Sequence, residues 1–151
     1  MADLDDLYRE IILDHYKNPR NSGTIESPPA LVEEGFNPLC GDEVKVYVVV
    51  GDGRIADIRI SGQGCSISRS SASLMSQAVK GKPLSEVLEV LARFRRMMGV
   101  GEEEQGEPEV ADVHNLGELA ALQGVVKFPV RIKCATLPWN TLSAAIARAS
   151  D

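Results

Sequence analysis

Residues 43–60 read Glu43-Val44-Lys45-Val46-Tyr47-Val48-Val49-Val50-Gly51-Asp52-Gly53-Arg54-Ile55-Ala56-Asp57-Ile58-Arg59-Ile60. The first eight are rich in β-branched side chains in partial alternation, Gly51-Asp52-Gly53 has turn chemistry, and Ile58 and Ile60 bracket Arg59. That pattern predicts a β-hairpin. One face of its second strand is apolar and the other is wet, as in an antiparallel sheet covered on one side only. Helices must supply the cover.

On the N-terminal side, Leu4, Leu7, Tyr8, Ile11 and Ile12 recur at helical spacing, with Asp3 available as N-cap. This helix should stop near Asn18-Pro19, because the residue before proline is pushed out of the helical region. From Arg20 to Asn37 the residues Asn21, Ser22, Gly23, Ser27, Pro28 and Pro29 read as a loop. After the hairpin, Ser61-Gly62-Gln63-Gly64 ends the strand, and Ile67, Ser71, Leu74, Met75 and Ala78 restore helical spacing up to Gly81. The serines Ser70, Ser71 and Ser73 read as the polar face of that helix. A further helix begins around Pro83 to Ser85, carries Val87, Leu88, Leu91, Phe94 and Met98, and ends at Gly99. The acidic stretch Gly101 to Glu109 reads as a surface loop, and Leu116, Leu119 and Leu122 as a short helical pattern. Pro129 opens a stretch carrying Cys134, and a last helix follows with Pro138 in its first turn and Leu142, Ala145, Ile146 and Ala149 as its buried stripe. No internal repeat is present.

With 151 residues, 44% of them hydrophobic and 25% charged, the chain is one domain's worth of sequence with enough apolar surface for a core. Its net charge of -6 repels the phosphate backbone on which non-specific nucleic-acid binding depends. The acidic N-terminus lacks the features of a secretory signal, and no apolar run approaches membrane-spanning length, so a cytoplasmic protein without a membrane or nucleic-acid partner is expected. Three cysteines, an odd number, argue for reduced thiols over a disulfide framework.

Each cysteine stands at a chemically loaded position. Cys40 lies in Asn37-Pro38-Leu39-Cys40-Gly41-Asp42, where a turn lets its thiolate and the Asp42 carboxylate meet one cation. Cys65 follows Gly62-Gln63-Gly64 where a strand gives way to a helix, so unpaired backbone N–H groups favour its thiolate. Cys134 lies in Pro129-Val130-Arg131-Ile132-Lys133-Cys134, close to two positive charges. Three converging thiolates would suit zinc, with one oxygen or nitrogen ligand completing a tetrahedron. Asp42 is the preferred fourth ligand; His15 and His114 compete for that place, although a lone histidine is more often hydrogen-bonded or solvated. No C-x-x-C knuckle is present, and the ordinary alternative for each cysteine taken singly is core packing.

Four segments together resemble a known family: Tyr16-Lys17-Asn18-Pro19-Arg20-Asn21, Asn37-Pro38-Leu39-Cys40-Gly41-Asp42, Gly62-Gln63-Gly64-Cys65-Ser66-Ile67-Ser68 and Arg131-Ile132-Lys133-Cys134. In this order they are similar to the IscU/NifU N-terminal family, and within it to the SufU branch. The resemblance implies an α+β fold, a small antiparallel β-sheet packed against helices in the SufE/NifU-like (IscU-like) manner, as one domain over 1–151. It also implies that Cys40, Asp42, Cys65 and Cys134 gather at an exposed end and hold Zn2+ or a [2Fe-2S] cluster. Two departures separate the chain from the scaffold pattern: Lys133 stands where many scaffolds carry histidine, and Lys127-Phe128-Pro129-Val130-Arg131 replaces their Leu-Pro-Pro-Val-Lys chaperone motif. The long separation of Cys65 from Cys134 corresponds to a SufU-type insertion around 99–125.

The expectation is a zinc-dependent sulfurtransferase that takes persulfide sulfur from a cysteine desulfurase, SufS-like, for downstream iron-sulfur scaffold or acceptor proteins. Cys40 is the expected acceptor, and Arg131 anchors Asp42 or the exposed thiolate. Two alternatives use the same ligands: a non-enzymatic IscU-type scaffold assembling a transient [2Fe-2S] cluster, and a protein whose zinc is purely structural. Other chemistry has little support. There is no nucleophile elbow, Gly51-Asp52-Gly53 and Gly62-Gln63-Gly64 lack a P-loop lysine or dinucleotide fingerprint, and Arg93, Arg95 and Arg96 read as a solvated helix face.

Overall fold

The structure is a computed structural model that describes residues 2–27, 29–38, 41–99 and 117–149. Cys40, His114, Leu116 and the acidic stretch 101–109 lie outside the described residues.

The element order is α1 (Ala2–Lys17), β1 (Leu31–Asn37), β2 (Asp42–Gly51), β3 (Arg54–Gln63), α2 (Ser66–Val79), α3 (Leu84–Met98), a 3-10 segment (Gly117–Lys127) and α4 (Pro129–Ala149). Helix α1 starts at Ala2, so Asp3 sits inside its first turn instead of capping it. The helix stops at Lys17, directly before Asn18-Pro19.

The hairpin is as the sequence predicts. β2 and β3 pair antiparallel with Gly51 opposite Arg54. The two residues between them, Asp52 and Gly53, have φ of 56° and 74°, the pair of positive angles that a type I′ turn requires. Val44, Val46 and Val48 point to the core from β2. On β3 the buried residues are Ile55, Ile58 and Ile60. Strict alternation cannot bury both Ile55 and Ile58, which are three apart. An irregularity resolves this: Val49 pairs with Asp57 but Val50 with Ile55, so Ala56 is the extra residue of a bulge.

The stretch from Arg20 to Asn37 is not loop throughout. Leu31–Asn37 forms the edge strand β1, antiparallel to β2, in a three-stranded sheet of order β1-β2-β3. Glu33, Glu34 and Gly35 give this segment little strand propensity. It is held by what packs on it. A Cβ at Gly35 would stand 2.2 Å from Thr141 Oγ1, so the glycine lets α4 lie directly on the strand. Upstream, Asn21 and Gly23 bond to the backbone of Ile60, fixing the preceding turn against β3.

The last helix begins at Pro129, not at Pro138, which lies buried in its interior. A proline there cannot donate to the carbonyl of Cys134, four residues earlier. The disturbed turn receives outside help: Ser71 Oγ donates to Ala135 O at 2.5 Å, and Trp139 Nε1 donates to Ser71 Oγ at 2.9 Å. Ser70, Ser71 and Ser73 are therefore not a solvated face. All three are buried, with Ser70 bonded to Ile12 O and Ser73 to the backbone N–H of Arg20. Buried hydroxyls are tolerated because each has a partner. Trp139 also stacks on Phe94 of α3, with ring centroids 4.2 Å apart. Helix α3 ends as predicted, Gly99 taking the left-handed conformation at φ 76°. The core thus joins the sheet's inner face to α2, α3, the 3-10 segment and α4. Among the described residues, no helix is long and apolar enough to cross a membrane.

Candidate metal centre

The site is built where the sheet's end meets two helices. Asp42 opens β2, directly opposite Asn37, the last residue of β1. Gly41 closes the intervening turn by donating its N–H to Asn37 O at 2.8 Å, and it does so at φ 71°, which only glycine adopts freely. Asp42 is buried at the start of the strand. Its Oδ1 accepts the backbone N–H of Cys65 at 2.8 Å, so the carboxylate sits at the N-terminus of α2. Gly64 permits this contact: a Cβ there would fall 2.4 Å from Asp42 Oδ1.

Cys65 is the N-cap of α2, and its sulfur accepts the N–H of Ser68 at 3.5 Å. Cys134 comes from α4, one turn into the helix and buried. Its position inside a helix departs from the sequence reading, which put it ahead of one. The sulfur nonetheless faces the same point: Asp42, Cys65 and Cys134 each offer a ligand atom within 4.8 Å of the other two. Zinc bound tetrahedrally to sulfur at about 2.3 Å and oxygen at about 2.1 Å holds those atoms about 3.6 Å apart. Asp42 Oδ2 and Cys65 Sγ are separated by 3.7 Å. Donor type and spacing both suit a thiophilic divalent cation.

Three of the four expected ligands are thus brought together, and the fourth, Cys40, adjoins Gly41 in the chain but lies outside the described residues. Arg131 is exposed in the first turn of α4 and makes no hydrogen bond or ion pair with Asp42 or with either described thiol. It lines a groove of about 630 Å3 with Tyr8, Ile12, Ser66, Val125 and Phe128. Sequence reasoning gave no role to the Asn37 side chain, which donates to Cys134 Sγ at 3.6 Å. Its only signal was its place in the Cys40 segment.

His15 is not a ligand. Only 1% exposed, it lies between Ser73 Oγ, 2.7 Å from Nδ1, and Glu118 Oε1, 3.3 Å from Nε2. The Glu118 carboxylate can only accept, so the neutral imidazole carries its proton on Nε2 and its Nδ1 accepts from the Ser73 hydroxyl, which itself accepts the Arg20 N–H. Burial pushes the His15 pKa below its ordinary 6.5, against the opposing pull of Glu118. The unfolded chain therefore binds more protons than the folded one just below pH 6.5. His15 contributes stability that is present above that pH and is lost as the pH falls through the folded-state value. In metal-free protein, the urea midpoint of the wild type should drop on acidification from pH 7 more steeply than that of His15→Gln. Parallel curves for the two proteins would contradict this assignment.

The NifU-like N-terminal domain model matches residues 7–148. The chain belongs to this family. Among curated relatives, the NifU-like domain is 45% identical over 97% of its length to a Bacillus subtilis protein described as zinc-dependent sulfurtransferase SufU, covering 94% of that protein. It is 38% identical over 100% of its length to a Streptococcus pyogenes protein described as iron-sulfur cluster assembly scaffold protein IscU, covering 89% of it. A crystal structure from Fervidobacterium islandicum, described as a proposed iron-sulfur cluster assembly scaffold protein for the SUF system, aligns with a TM-score of 0.76 at 36% identity, over 90% of this chain and 93% of that one. The α+β fold expected of a NifU-like domain, a small antiparallel sheet under helices, is the fold observed.

Proposed function

We propose that this NifU-like domain is a zinc-dependent sulfurtransferase of the cytoplasm, taking persulfide sulfur from a SufS-type cysteine desulfurase and handing it to downstream iron-sulfur scaffold or acceptor proteins. The observation that carries the reading is the convergence of Asp42, Cys65 and Cys134 within 4.8 Å. The 45% identity to a protein described as a zinc-dependent sulfurtransferase supplies the reaction class.

Asp42, Cys65 and Cys134 hold the metal, with Cys40 as the fourth donor; bound zinc keeps such thiols deprotonated at neutral pH. Cys40 is the acceptor. Its thiolate attacks the outer sulfur of the desulfurase persulfide, a new S–S bond forms on Cys40 as the donor's S–S bond breaks, and the desulfurase cysteine leaves as a thiolate. No external oxidant or reductant enters. Gly41, in a conformation open to glycine, lets the acceptor's backbone turn without dragging the strand. Asp42 stays bonded to the Cys65 N–H, so the remaining donors keep their arrangement. Arg131, three residues before Cys134 and exposed in the first turn of α4, supplies in this reading the positive charge that attracts the anionic sulfur. Residues 99–125 are the SufU-type insertion in this reading.

Adding the zinc-loaded protein to a cysteine desulfurase should raise its turnover, and Cys40→Ala should abolish the rise. A rise that survives Cys40→Ala would overturn the role of Cys40. The scaffold reading draws on the oxygen donor Asp42, a weaker ligand for iron than a thiolate, and on the likeness to a protein described as IscU. Labile iron and sulfide in protein purified without oxygen, with no effect on desulfurase turnover, would favour it.

A further inference from the structure

We infer that Asn37 is a positioning residue for the metal centre: its side-chain amide holds the Cys134 sulfur by an N–H···S hydrogen bond and ties that ligand to the strand bearing Asp42. The inference rests on the metal-binding reading of Asp42, Cys65 and Cys134.

Three observations place it. The Asn37 side chain is buried and its Nδ2 lies 3.6 Å from Cys134 Sγ. A thiolate can only accept, so the amide presents its NH2 group to the sulfur. Asn37 is also the direct cross-strand partner of Asp42, so one residue links two ligands that come from different elements. Cys65 has an equivalent donor in the Ser68 N–H at 3.5 Å, but that bond is local, made within the helix cap. Cys134 lies in α4, 97 positions from Asn37, so the Asn37 bond reaches it from a different part of the fold. A neutral N–H near a metal-bound sulfur withdraws electron density from it and fixes the side-chain rotamer without adding charge. Partners outside the ligand set that act in this way typically contribute roughly 10- to 100-fold in metal affinity.

The experiment uses the full chain with zinc, cobalt(II) and a chromophoric chelator. Asn37→Leu and Asn37→Asp keep the side chain's approximate size and remove the donor; the aspartate adds a negative charge beside the sulfur. Competition with the chelator should give zinc dissociation constants roughly 10- to 100-fold higher than wild type, with the aspartate variant weaker than the leucine variant. In the cobalt(II) protein, the sulfur-to-metal charge-transfer band should move to longer wavelength, because a sulfur relieved of its hydrogen bond releases an electron more readily. A merely structural role would leave that band in place. The isosteric aspartate variant keeps the test available if leucine impairs folding. Wild-type affinity and an unmoved band in folded variants would overturn the inference alone. Failure of the wild type itself to hold zinc would overturn the metal reading and the inference with it.

Discussion

Cys65→Ser should lower the protein's affinity for zinc by at least about 100-fold while leaving the metal-free fold intact. Four-ligand structural zinc sites are worth roughly 10 to 16 kcal/mol, or about 3 kcal/mol per ligand, and each 1.4 kcal/mol is tenfold in affinity. The choice of serine isolates the ligand effect. Cys65 is the N-cap of α2, its side chain accepting the Ser68 N–H, and serine is a better N-cap than cysteine. The Asp42 bond to the backbone N–H of residue 65 does not involve the replaced atom. The urea midpoint of the metal-free variant should therefore match or slightly exceed that of metal-free wild type. The core that holds the sheet to α2, α3 and α4 is made of aliphatic and aromatic side chains. Metal-free wild type should accordingly unfold cooperatively on heating. A non-cooperative melt without metal would instead support the purely structural zinc site.

Trp139→Ala should destabilise the metal-free protein by about 3 to 5 kcal/mol, the range for removing a large aromatic from a packed core. Trp139 is fully buried, stacks on Phe94 and donates to Ser71, so its removal opens a void at the junction of α2, α3 and α4. The effect should reach the candidate metal centre. Cys134 lies five residues earlier on the same helix, and the bond from Ser71 to Ala135 fixes the turn between them. The measurement is urea unfolding followed by two probes: a lower midpoint at unchanged slope is expected. A loss under about 1 kcal/mol would mean that this junction repacks without the indole.

The hairpin was legible because its evidence is local. The Asp52-Gly53 turn and the valines of β2 are contiguous in sequence, and the helices α1 and α3 were legible from their apolar spacing, although Leu7 and Leu88, read as part of those stripes, are exposed. Strand β1 was not, because Gly35 reads as a breaker until the approach of Thr141 is known. Pro138 misled for the same reason: it normally opens a helix, and the contact that braces the turn before it comes from Ser71, 64 positions before Ala135. The serines of α2 look solvated by composition, yet their partners lie on α1 and α4.

At the candidate metal centre, the setting of Cys65 at a strand-to-helix junction was visible in the sequence, as was the liability of Asp42 to share its cation, whereas Cys134 was read ahead of the helix that contains it. The ligand set as a whole came from the resemblance, since spacing does not state that residues 42, 65 and 134 meet. The Asn37 contact to Cys134 was out of reach because it joins the end of an unrecognised strand to a helix whose start was misplaced.

The most direct test of sulfur transfer is mass spectrometry of peptides from the zinc-loaded protein after incubation with a cysteine desulfurase and cysteine. One additional sulfur atom on the peptide containing Cys40, absent without cysteine, is the predicted result. Sulfur found on Cys65 or Cys134 with Cys40 unmodified, or on none of the three, would contradict it.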